Sequence, residues 1–443
     1  MIAHDTLDPF EELVTKGWVR PPESQRPAFP PSGRTLRPNS LAALVEIVRR
    51  ANHAGFPFFF VGGGTRLSNH PLPVAPQLHG QPTIAIALDG LNRVLEFRPM
   101  DFTVTVEAGI PLAQLREQLA MRGQTLMLDS PHAQQGTIGG LLASGYAGPR
   151  RRSLGYTRDA LLGAQLVLAD GSLVESGGRV QRQASGYNLG RVMVGAHGCL
   201  GAYATLHLRT VPLPETHRCI VATLPEGTRS RVLASIEALP VEPTAALLID
   251  GFMREIPGWE GPDGRVFLAF EGSETSIARA TRDLRTALGA IGVSETRLFD
   301  RDAEALLEGV INAPVPLHHN HGDNTATIRL WGPPSKAVAL RNTVHRQLGE
   351  VNLKAETITD LHNGDVYARV KAFGPRALDI AAREIFVELA HEATRASLLG
   401  APASFHDRFT IAVNRERSSE SLVPTLRSHF DPRSLYAIDR SLL

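Results

Sequence analysis

Two glycine-rich segments carry the clearest chemical signal in the sequence. The run V-G-G-G-T at 61–65 follows three phenylalanines, and the run T-I-G-G at 137–140 opens a predicted helix. Consecutive glycines leave backbone N–H groups unshielded, so these groups can point together at phosphate oxygens. The first N–H groups of a helix have no intrahelical partner, and the helix dipole favours an anion there. The two segments together predict a diphosphate site and favour a dinucleotide, although neither fits the Rossmann fingerprint or a lysine-containing phosphate loop.

A histidine-rich run at 318–324 (H-H-N-H-G-D-N) indicates a second kind of chemistry. Imidazoles and a carboxylate are ligands that suit zinc, iron or manganese. Neighbouring loop histidines usually face different directions, so we favour a solvated or cofactor-facing loop and predict no metal. Whether His318, His319, His321 and Asp323 bind one stays open. His321 is also a candidate base.

A third polar run, D-L-H-N-G-D at 360–365, has two interpretations. Asn363-Gly364 is typical of a hairpin turn, which is the structural interpretation and the one we favour. In the functional interpretation, His362 is a catalytic base and Arg369 or Arg329 receives a substrate carboxylate through its planar fork of N–H donors.

Composition narrows the class of protein. With 46 basic and 45 acidic residues among 443, the net charge of +1 gives no electrostatic footprint for nucleic acid. The two cysteines, Cys199 and Cys219, exclude a disulfide framework and a cysteine-based zinc or iron–sulfur site, and they favour a reducing compartment. The sequence shows no signal peptide and no run of ~20 apolar residues, so we predict a cytoplasmic protein.

The predicted elements place these motifs in two domains. A helix should run from Leu41 to about Gly55, followed by a strand at 58–61, strands at 83–88, 94–97 and 103–107, and a helix at 111–122. Asp170-Gly171 predicts a hairpin, and prolines after Val211 suggest a boundary. Two strand–helix units, at 266–288 and 327–348, suggest a duplicated arrangement, and a long helix is expected at 375–397. The predicted divisions are an irregular proline-rich leader (1–33), a first domain (34–214), an α+β cap (215–413) and a C-terminal segment (414–443) that returns to the first domain.

From Arg37 to Pro214 the chain resembles the FAD-binding domain of the vanillyl-alcohol oxidase type. Four ordered motifs carry the resemblance: V-G-G-G-T at 61–65, Q-G-T-I-G-G at 135–140, A-S-G-Y-N-L at 184–189 and G-A-H-G-C-L-G at 195–201. With G-P-R at 148–150 and F-D-P-R-S-L-Y at 430–436, the chain is most similar to the FAD-binding subunit of glycolate oxidase. Asn188 stands where that family usually has aspartate, so the chain is a divergent member.

The resemblance implies an α+β fold, with a two-subdomain FAD-binding domain of this type and an antiparallel α+β cap. We favour FAD that binds without a covalent bond, because the first loop has no His or Cys to tether it. Arg150-Arg151-Arg152 has two alternatives, contact with FAD or a partner and a solvated basic surface, and we favour the surface. The implied cofactor-binding residues are Val61, Gly62, Gly63, Gly64, Thr65, Arg66, Leu67, Gln135, Gly136, Thr137, Gly139, Gly140, Ser144, Gly145, Gly186, Tyr187, Asn188, Gly195, Gly198, Gly201, Ala202 and Tyr203.

The resemblance also implies a function, the oxidation of glycolate or a similar 2-hydroxyacid by hydride transfer to FAD. The implied partners are a homologous FAD subunit and an iron–sulfur subunit, through which the protein would associate with a membrane. Two alternatives stay open: a stand-alone FAD-dependent dehydrogenase of the D-lactate type, and a non-catalytic subunit that serves as scaffold or electron relay.

Overall fold

The computed structural model describes most of the chain. The described residues are 9–20, 34–65, 77–78, 81–126, 128–179, 187–225, 227–251, 264–293, 295–315, 325–371, 388–389, 395–400 and 423–436. Among them, no helix combines the length and apolar character needed to cross a membrane.

The first subdomain is a small sheet with one main helix. Its elements are α1 (Glu11–Thr15), β1 (Val19–Arg20), β2 (Arg34–Pro38), α2 (Leu41–Ala54), β3 (Phe58–Val61), β4 (Gln77–Leu78), β5 (Gln81–Pro82) and β6 (Ile84–Ala87). The strand order in the sheet is β1-β2-β6-β3, in which β6 pairs in parallel with both β2 and β3.

Helix α2 confirms its prediction at both ends. The Ser40 hydroxyl accepts a hydrogen bond from the N–H of Ala43, and Gly55 ends the helix in the left-handed conformation at φ +74°. The apolar stripe of α2, which includes Leu44 and Ile47, is fully buried against the sheet. Helix α1 and strand β1 fall in the predicted leader, so residues 9–20 of that leader are regular rather than irregular.

The second subdomain is a six-stranded antiparallel sheet in the order β11-β10-β12-β8-β7, with β9 paired to β12. The hairpin predicted at Asp170-Gly171 joins β10 to β11 and is confirmed. The strands are β7 (Val94–Arg98), β8 (Thr103–Glu107), β9 (Gln124–Leu126), β10 (Leu161–Val167), β11 (Leu173–Gly177) and β12 (Ala202–Pro212). The helices are α3 (Leu112–Ala120), α4 (Ile138–Ser144), α5 (Arg151–Leu154), α6 (Thr157–Ala160) and α7 (Leu189–Val192).

The cap is one eight-stranded sheet in the order β16-β13-β15-β14-β18-β19-β17-β20, in which every neighbouring pair is antiparallel. Its strands are β13 (Thr216–Thr223), β14 (Ala245–Asp250), β15 (Arg265–Gly272), β16 (Thr296–Phe299), β17 (Thr325–Trp331), β18 (Ala355–Asp360), β19 (Asp365–Lys371) and β20 (Arg395–Gly400). Its helices are α8 (Arg229–Glu237), α9 (Glu274–Ala290), α10 (Ala303–Asn312) and α11 (Ala337–Glu350). The architecture is α+β, as predicted.

The two faces of the cap sheet pack differently. One face packs on α8, α9 and α11, as shown by buried clusters that contain Ile220, Leu284 and Val344. The other face shares a core with α10 and with the second subdomain, where Tyr367 and Phe267 lie in one cluster with Leu142. The cap therefore docks on the first domain through a continuous apolar core.

Two predictions about the cap have different outcomes. The two strand–helix units are confirmed as β15 with α9 and β17 with α11. The helix predicted at 375–397 is wrong at its end, because Arg395–Gly400 is a strand that pairs with β17. Pairing with the open side of β17 outweighs local helix preference there. Residues 375–387 and 390–394 of the predicted helix lie outside the described residues.

The described C-terminal residues contact β3. The helix α12 (Val423–Phe430) precedes buried Asp431, whose carboxylate accepts from the N–H groups of Leu435 and Tyr436 at 2.8 and 2.9 Å. The carbonyl of Leu435 accepts from the N–H of Phe58 at 2.9 Å, and the Tyr436 ring meets the Phe58 ring edge-on. The exact limits of the four predicted divisions stay a prediction.

Candidate cofactor and substrate site

The two glycine-rich segments lie directly against each other. A Cβ atom on Gly63 would stand 1.7 Å from the carbonyl oxygen of Gln135, and one on Gly62 would stand 2.2 Å from Oγ1 of Thr137. Real Cβ atoms do not approach other atoms so closely, so both positions require glycine. We call the loop Gly62–Thr65 together with the turn Gln135–Gly140 the cradle.

The first loop supplies the free donors of the cradle. The N–H groups of Gly63 and Gly64 donate to no acceptor within the described part of the chain. Gly64 has φ +73°, and all three glycines keep part of their surface accessible. Successive exposed N–H groups with a left-handed residue among them form a concave anion site. This loop therefore fits a phosphate group of a dinucleotide.

The second segment does not supply the free donors expected of it. The first N–H groups of α4 are already used inside the protein, so that expectation is wrong. The bonds run from Ile138 to the carbonyl of Ile110, from Gly139 to the carbonyl of Ala108 and from Gly140 to the hydroxyl of Thr137, at 3.0, 2.7 and 3.2 Å. The turn is therefore a fixed wall that holds the first loop in place.

A third glycine-rich segment, at 195–201, is hydrogen-bonded to the C-terminal end of α4. The N–H groups of Gly195 and His197 donate to the carbonyls of Leu142 and Ala143 at 3.1 and 2.8 Å. A Cβ on Gly145 would stand 2.9 Å from Cα of Gly195. The three segments thus border one another along α4.

The predicted cofactor residues differ in the surface that they offer to a ligand. Gly62, Gly63, Gly64, Gln135, Gly140, Ser144, Gly145, Tyr187, Asn188, Gly195 and Gly198 are partly or fully exposed. Val61, Thr65, Gly136, Thr137, Gly139, Gly201, Ala202 and Tyr203 are buried. Arg66, Leu67 and Gly186 lie outside the described residues.

Two of these residues have structural roles. The Tyr203 hydroxyl donates to the carbonyl of Gly190 at 2.7 Å within the core. The Asn188 side chain accepts from the N–H of Arg191 at 3.1 Å and caps α7. Both side chains therefore shape the wall near the third segment.

Several polar side chains of the cap point toward the first domain. Side chains alternate along strands, and Ile328, Leu330 and Val366 pack on the α11 side of the sheet. Arg329, which is paired with Tyr367 across β17 and β19, therefore lies on the other face. The Tyr146 ring, just after α4, lies 5.8 Å from the guanidinium carbon of Arg329. This cap face thus adjoins the C-terminal end of α4, the helix that begins in the cradle.

Arg329 is a buried cation of this face that lies against aromatic rings. Its Nη2 donates to Oδ2 of Asp365 at 2.8 Å, and the Trp331 and Tyr367 rings lie 4.1 and 5.5 Å from its guanidinium carbon. Burial works to lower the pKa of Arg329, but the charge of Asp365 outweighs it, so the pKa lies above its ordinary value. The group is a permanent buried cation.

Arg369 lies on the same face, two residues beyond Tyr367 along β19. Its Nη2 donates to the carbonyl of Ala313 at the end of α10, and its Nη1 lies 3.7 Å from the Glu356 carboxylate. Its side chain is 5% exposed, so two guanidinium groups of this sheet face are buried close to the domain boundary.

His362 lies in a hairpin turn, which confirms the structural interpretation of the 360–365 run. The Asp360 carboxylate accepts from the N–H groups of His362 and Asn363, and Gly364 adopts φ +80° between β18 and β19. Burial, helped by Arg152, lowers the pKa of His362 to about 4. Its Nδ1 has no hydrogen-bond partner among the described residues. The imidazole is therefore neutral at pH 7 and able to accept a proton.

The arginine triple is not a solvated surface, which corrects the favoured interpretation for two of its members. Arg150 pairs with Asp129 at 2.6 Å and with Glu271 of the cap, and Arg151 pairs with Asp365 at 2.6 Å. The third member, Arg152, pairs with exposed Glu242 and is the solvated one. These cross-domain partners are over 100 residues away in sequence, and nothing in the local pattern identifies them.

The histidine-rich run, including His321, lies outside the described residues. No group of three His, Cys, Asp or Glu residues suited to a metal occurs within the described ranges. Both cysteines are buried, and burial raises the pKa of the Cys219 thiol to about 12. At neutral pH that thiol is protonated and inert.

The fold matches the folds of two solved proteins. Across 92% of this chain, the structure superimposes on 88% of p-cresol methylhydroxylase with substrate bound, with a TM-score of 0.67 at 14% identity. It matches 77% of an alkyldihydroxyacetonephosphate synthase over the same share of the chain, with a TM-score of 0.65 at 16% identity. The predicted fold is confirmed.

Residues 33–177 match the model of an FAD binding domain, which confirms FAD as the cofactor. The chain is 30% identical to the glycolate oxidase subunit GlcE of Escherichia coli over 208 residues, 46% of this chain and 55% of that subunit. It is 26% identical to a D-lactate dehydrogenase of Archaeoglobus fulgidus over 287 residues, 62% of each chain. These matches confirm the resemblance, and each spans less than two thirds of the relative's length.

Proposed function

We propose that this chain oxidises glycolate or a similar small 2-hydroxyacid to the corresponding 2-oxoacid. The proposal rests on Arg329, a buried permanent cation on the cap face that adjoins the C-terminal end of α4, the helix that begins in the cradle. A carboxylate is the natural counterpart of a buried guanidinium. The names of the relatives, a glycolate oxidase subunit and a D-lactate dehydrogenase, support the same substrate class.

Arg329 and Arg369 would bind and orient the substrate carboxylate. Both guanidinium groups are buried, so their attraction for an anion is screened less than it would be in water. The planar fork of N–H donors fixes the carboxylate in one plane and thereby fixes the neighbouring α-carbon. Alcohols that lack a carboxylate would leave the Nε–H of Arg329 without an acceptor and be rejected.

His362 would accept the proton of the substrate hydroxyl, with His321 as the other candidate. The oxidation removes that proton and one hydride from the α-carbon, and bound FAD supplies the hydride-accepting chemistry. With a pKa of about 4, His362 is neutral and ready to act as a base across the physiological range. A low pKa also makes it a weak base, so orientation rather than basicity would supply most of its effect.

The cradle would hold the FAD diphosphate through backbone donors of Gly63 and Gly64. The first loop offers no His or Cys, which supports non-covalent binding. Denaturation should therefore release the flavin into solution, and flavin that stays with the precipitated chain would refute this part of the proposal.

We further propose that the chain works beside a homologous FAD subunit and an iron–sulfur subunit. The match to a protein named as a subunit of glycolate oxidase supports a complex. Two cysteines cannot supply the four thiolates of a typical cluster, so electrons that leave the flavin must pass to another molecule. Association with a membrane would then come from the partners.

One observation favours the alternative of a stand-alone dehydrogenase of the D-lactate type. The match to the D-lactate dehydrogenase spans 287 residues, a longer part of this chain than the match to the glycolate oxidase subunit. Steady-state turnover by the isolated chain with an artificial electron acceptor would decide for this alternative.

The test is a spectrum of the purified chain, followed by anaerobic addition of glycolate or D-lactate. We expect a flavin spectrum whose absorbance bleaches when at least one of the two substrates is added. A flavin spectrum that neither substrate changes would overturn catalysis by the isolated chain. Addition of the partner subunits then separates an enzyme that needs its complex from a non-catalytic scaffold or electron relay, which would stay unreduced.

A further inference from the structure

Asp365 holds two guanidinium groups that come from the two halves of the molecule. Its Oδ2 accepts from Nη1 of Arg151 at 2.6 Å and from Nη2 of Arg329 at 2.8 Å. Arg151 lies on α5 of the first domain, whereas Arg329 and Asp365 lie on neighbouring strands of the cap. The Asp365 side chain is fully buried, so water competes with neither pairing.

The same contacts leave one edge of Arg329 uncommitted. Its Nη2 is bound by Asp365 and its plane is covered by the Trp331 ring, but its Nε has no hydrogen-bond partner within the described residues. A planar guanidinium that is fixed at one corner and covered on one face presents its remaining N–H groups in a defined direction. Asp365 therefore sets the direction of the donors that Arg329 has left to offer.

Arg151 makes this arrangement depend on domain docking. Besides Asp365, it donates to the carbonyl of Asn363 at 3.1 Å, and it lies 3.9 Å from the Asp360 carboxylate. If the cap shifts on the first domain, Asp365 loses one of its two cations and its full charge then acts on Arg329, which is less available to a substrate carboxylate.

We propose that Asp365 is a positioning residue that links recognition of the substrate carboxylate by Arg329 to the docking of the cap on Arg151. This inference rests on the proposed function, because it takes Arg329 as the carboxylate-binding group. It adds that affinity for the hydroxyacid depends on an ion pair that crosses the domain boundary, away from the FAD cradle.

The test compares Asp365→Asn and Arg151→Gln with the matched control Asp250→Asn in the full chain. Asp250 is also a buried cap carboxylate with two arginines, Arg229 at 3.1 Å and Arg341 at 2.5 Å, but those arginines lie on α8 and α11, away from the first domain. Anaerobic stopped-flow reduction of the bound flavin gives the Kd of the hydroxyacid and the limiting rate separately.

Asp365→Asn is expected to raise this Kd by about 10-fold or more, which is the effect of losing one hydrogen bond between charged groups. Arg151→Gln is expected to raise it by roughly 3-fold to 10-fold, and Arg151→Lys should restore it. Preference for the hydroxyacid over its neutral amide should fall in the same order. Asp250→Asn should leave Kd and preference unchanged while lowering stability.

Equal Kd values in Asp365→Asn and Asp250→Asn would overturn the positioning role and leave the proposed function intact. Failure of the wild-type flavin to be reduced by any 2-hydroxyacid, alone or with partner subunits, would instead overturn the proposed function and this inference with it. If Asp365→Asn does not fold, the Arg151→Gln and Arg151→Lys pair decides: an equal Kd in both also overturns the positioning role.

Discussion

The FAD cradle and the polar face of the cap are built in opposite ways. The cradle uses backbone groups of local glycine runs, and the close approach of Gly63 to Gln135 leaves no room for side chains. The cap face uses charged side chains of β17 and β19, which are held by one ion pair between these strands and one to α5. A backbone site tolerates no added atoms, whereas a side-chain site tolerates substitution at a graded cost. The following predictions test that difference.

The largest effect is expected from Gly63→Ala. Its Cβ would stand 1.7 Å from the Gln135 carbonyl oxygen, so the loop must move and its donors lose their common direction. We expect FAD affinity to fall by about 1000-fold or more, measured by flavin fluorescence titration. Gly289→Ala in α9 is the control, because its Cβ meets no atom within 4 Å. Full flavin content in Gly63→Ala would show that the cradle is not the phosphate site.

Arg150→Gln should have the next largest effect, and on stability rather than on FAD affinity. The change leaves Asp129 and Glu271 buried without their cation, although Glu271 has a pKa of about 2 in the folded protein because His217 and Arg150 outweigh its burial. Removing one partner of a buried pair costs about 3–5 kcal/mol of unfolding free energy. Denaturant unfolding measures this loss. The exposed neighbour Arg152→Gln should cost less than about 1 kcal/mol, and equal losses for the two would contradict the buried network.

Arg329→Lys tests the graded character of the cap face. Lysine keeps the charge but loses the fork and its contact with the Trp331 plane, so the Kd for the hydroxyacid should rise by about 30-fold while FAD stays bound. Stopped-flow reduction gives this Kd. Arg346→Lys on the exposed surface of α11 is the control and should change nothing. If the Kd stays the same in Arg329→Lys, another cation receives the carboxylate.

His362→Gln should give the smallest effect, a change in how stability depends on pH. The folded pKa of about 4 lies below the ordinary value of 6.5, so the unfolded chain binds the proton first as the pH falls. The stability that neutral His362 contributes is therefore present above pH 6.5 and is lost as the pH falls towards 4. Thermal unfolding of His362→Gln should show a flatter decline over this window than the wild type. The exposed His429→Gln is the control, and a decline as steep in His362→Gln as in the wild type would refute the assignment.

Sequence reasoning succeeded where the signal is local. Residue types at short spacing account for the two ends of α2, at Ser40 and Gly55, and for the hairpin at Asp170-Gly171. They also account for the closeness of the glycine-rich segments. It failed where the outcome depends on distant partners. The N–H groups at the start of α4 are used by Ala108 and Ile110, and the buried partners of Arg150 and Arg151 belong to the cap. No pattern in a single sequence shows which distant residues will become these partners.

Contact between the C-terminal residues and β3 bears on how the protein is made. Phe58 begins β3, the strand that leads into the first loop of the cradle, yet its ring and its N–H contact residues 435–436, roughly 380 residues later in the chain. Synthesis proceeds from the N-terminus, and contacts of such long sequence separation form late. The strand that carries the loop is thus completed only after the whole cap has left the ribosome. Cofactor loading should accordingly be a late, post-translational event, and a nascent chain arrested before Leu435 should fail to retain flavin.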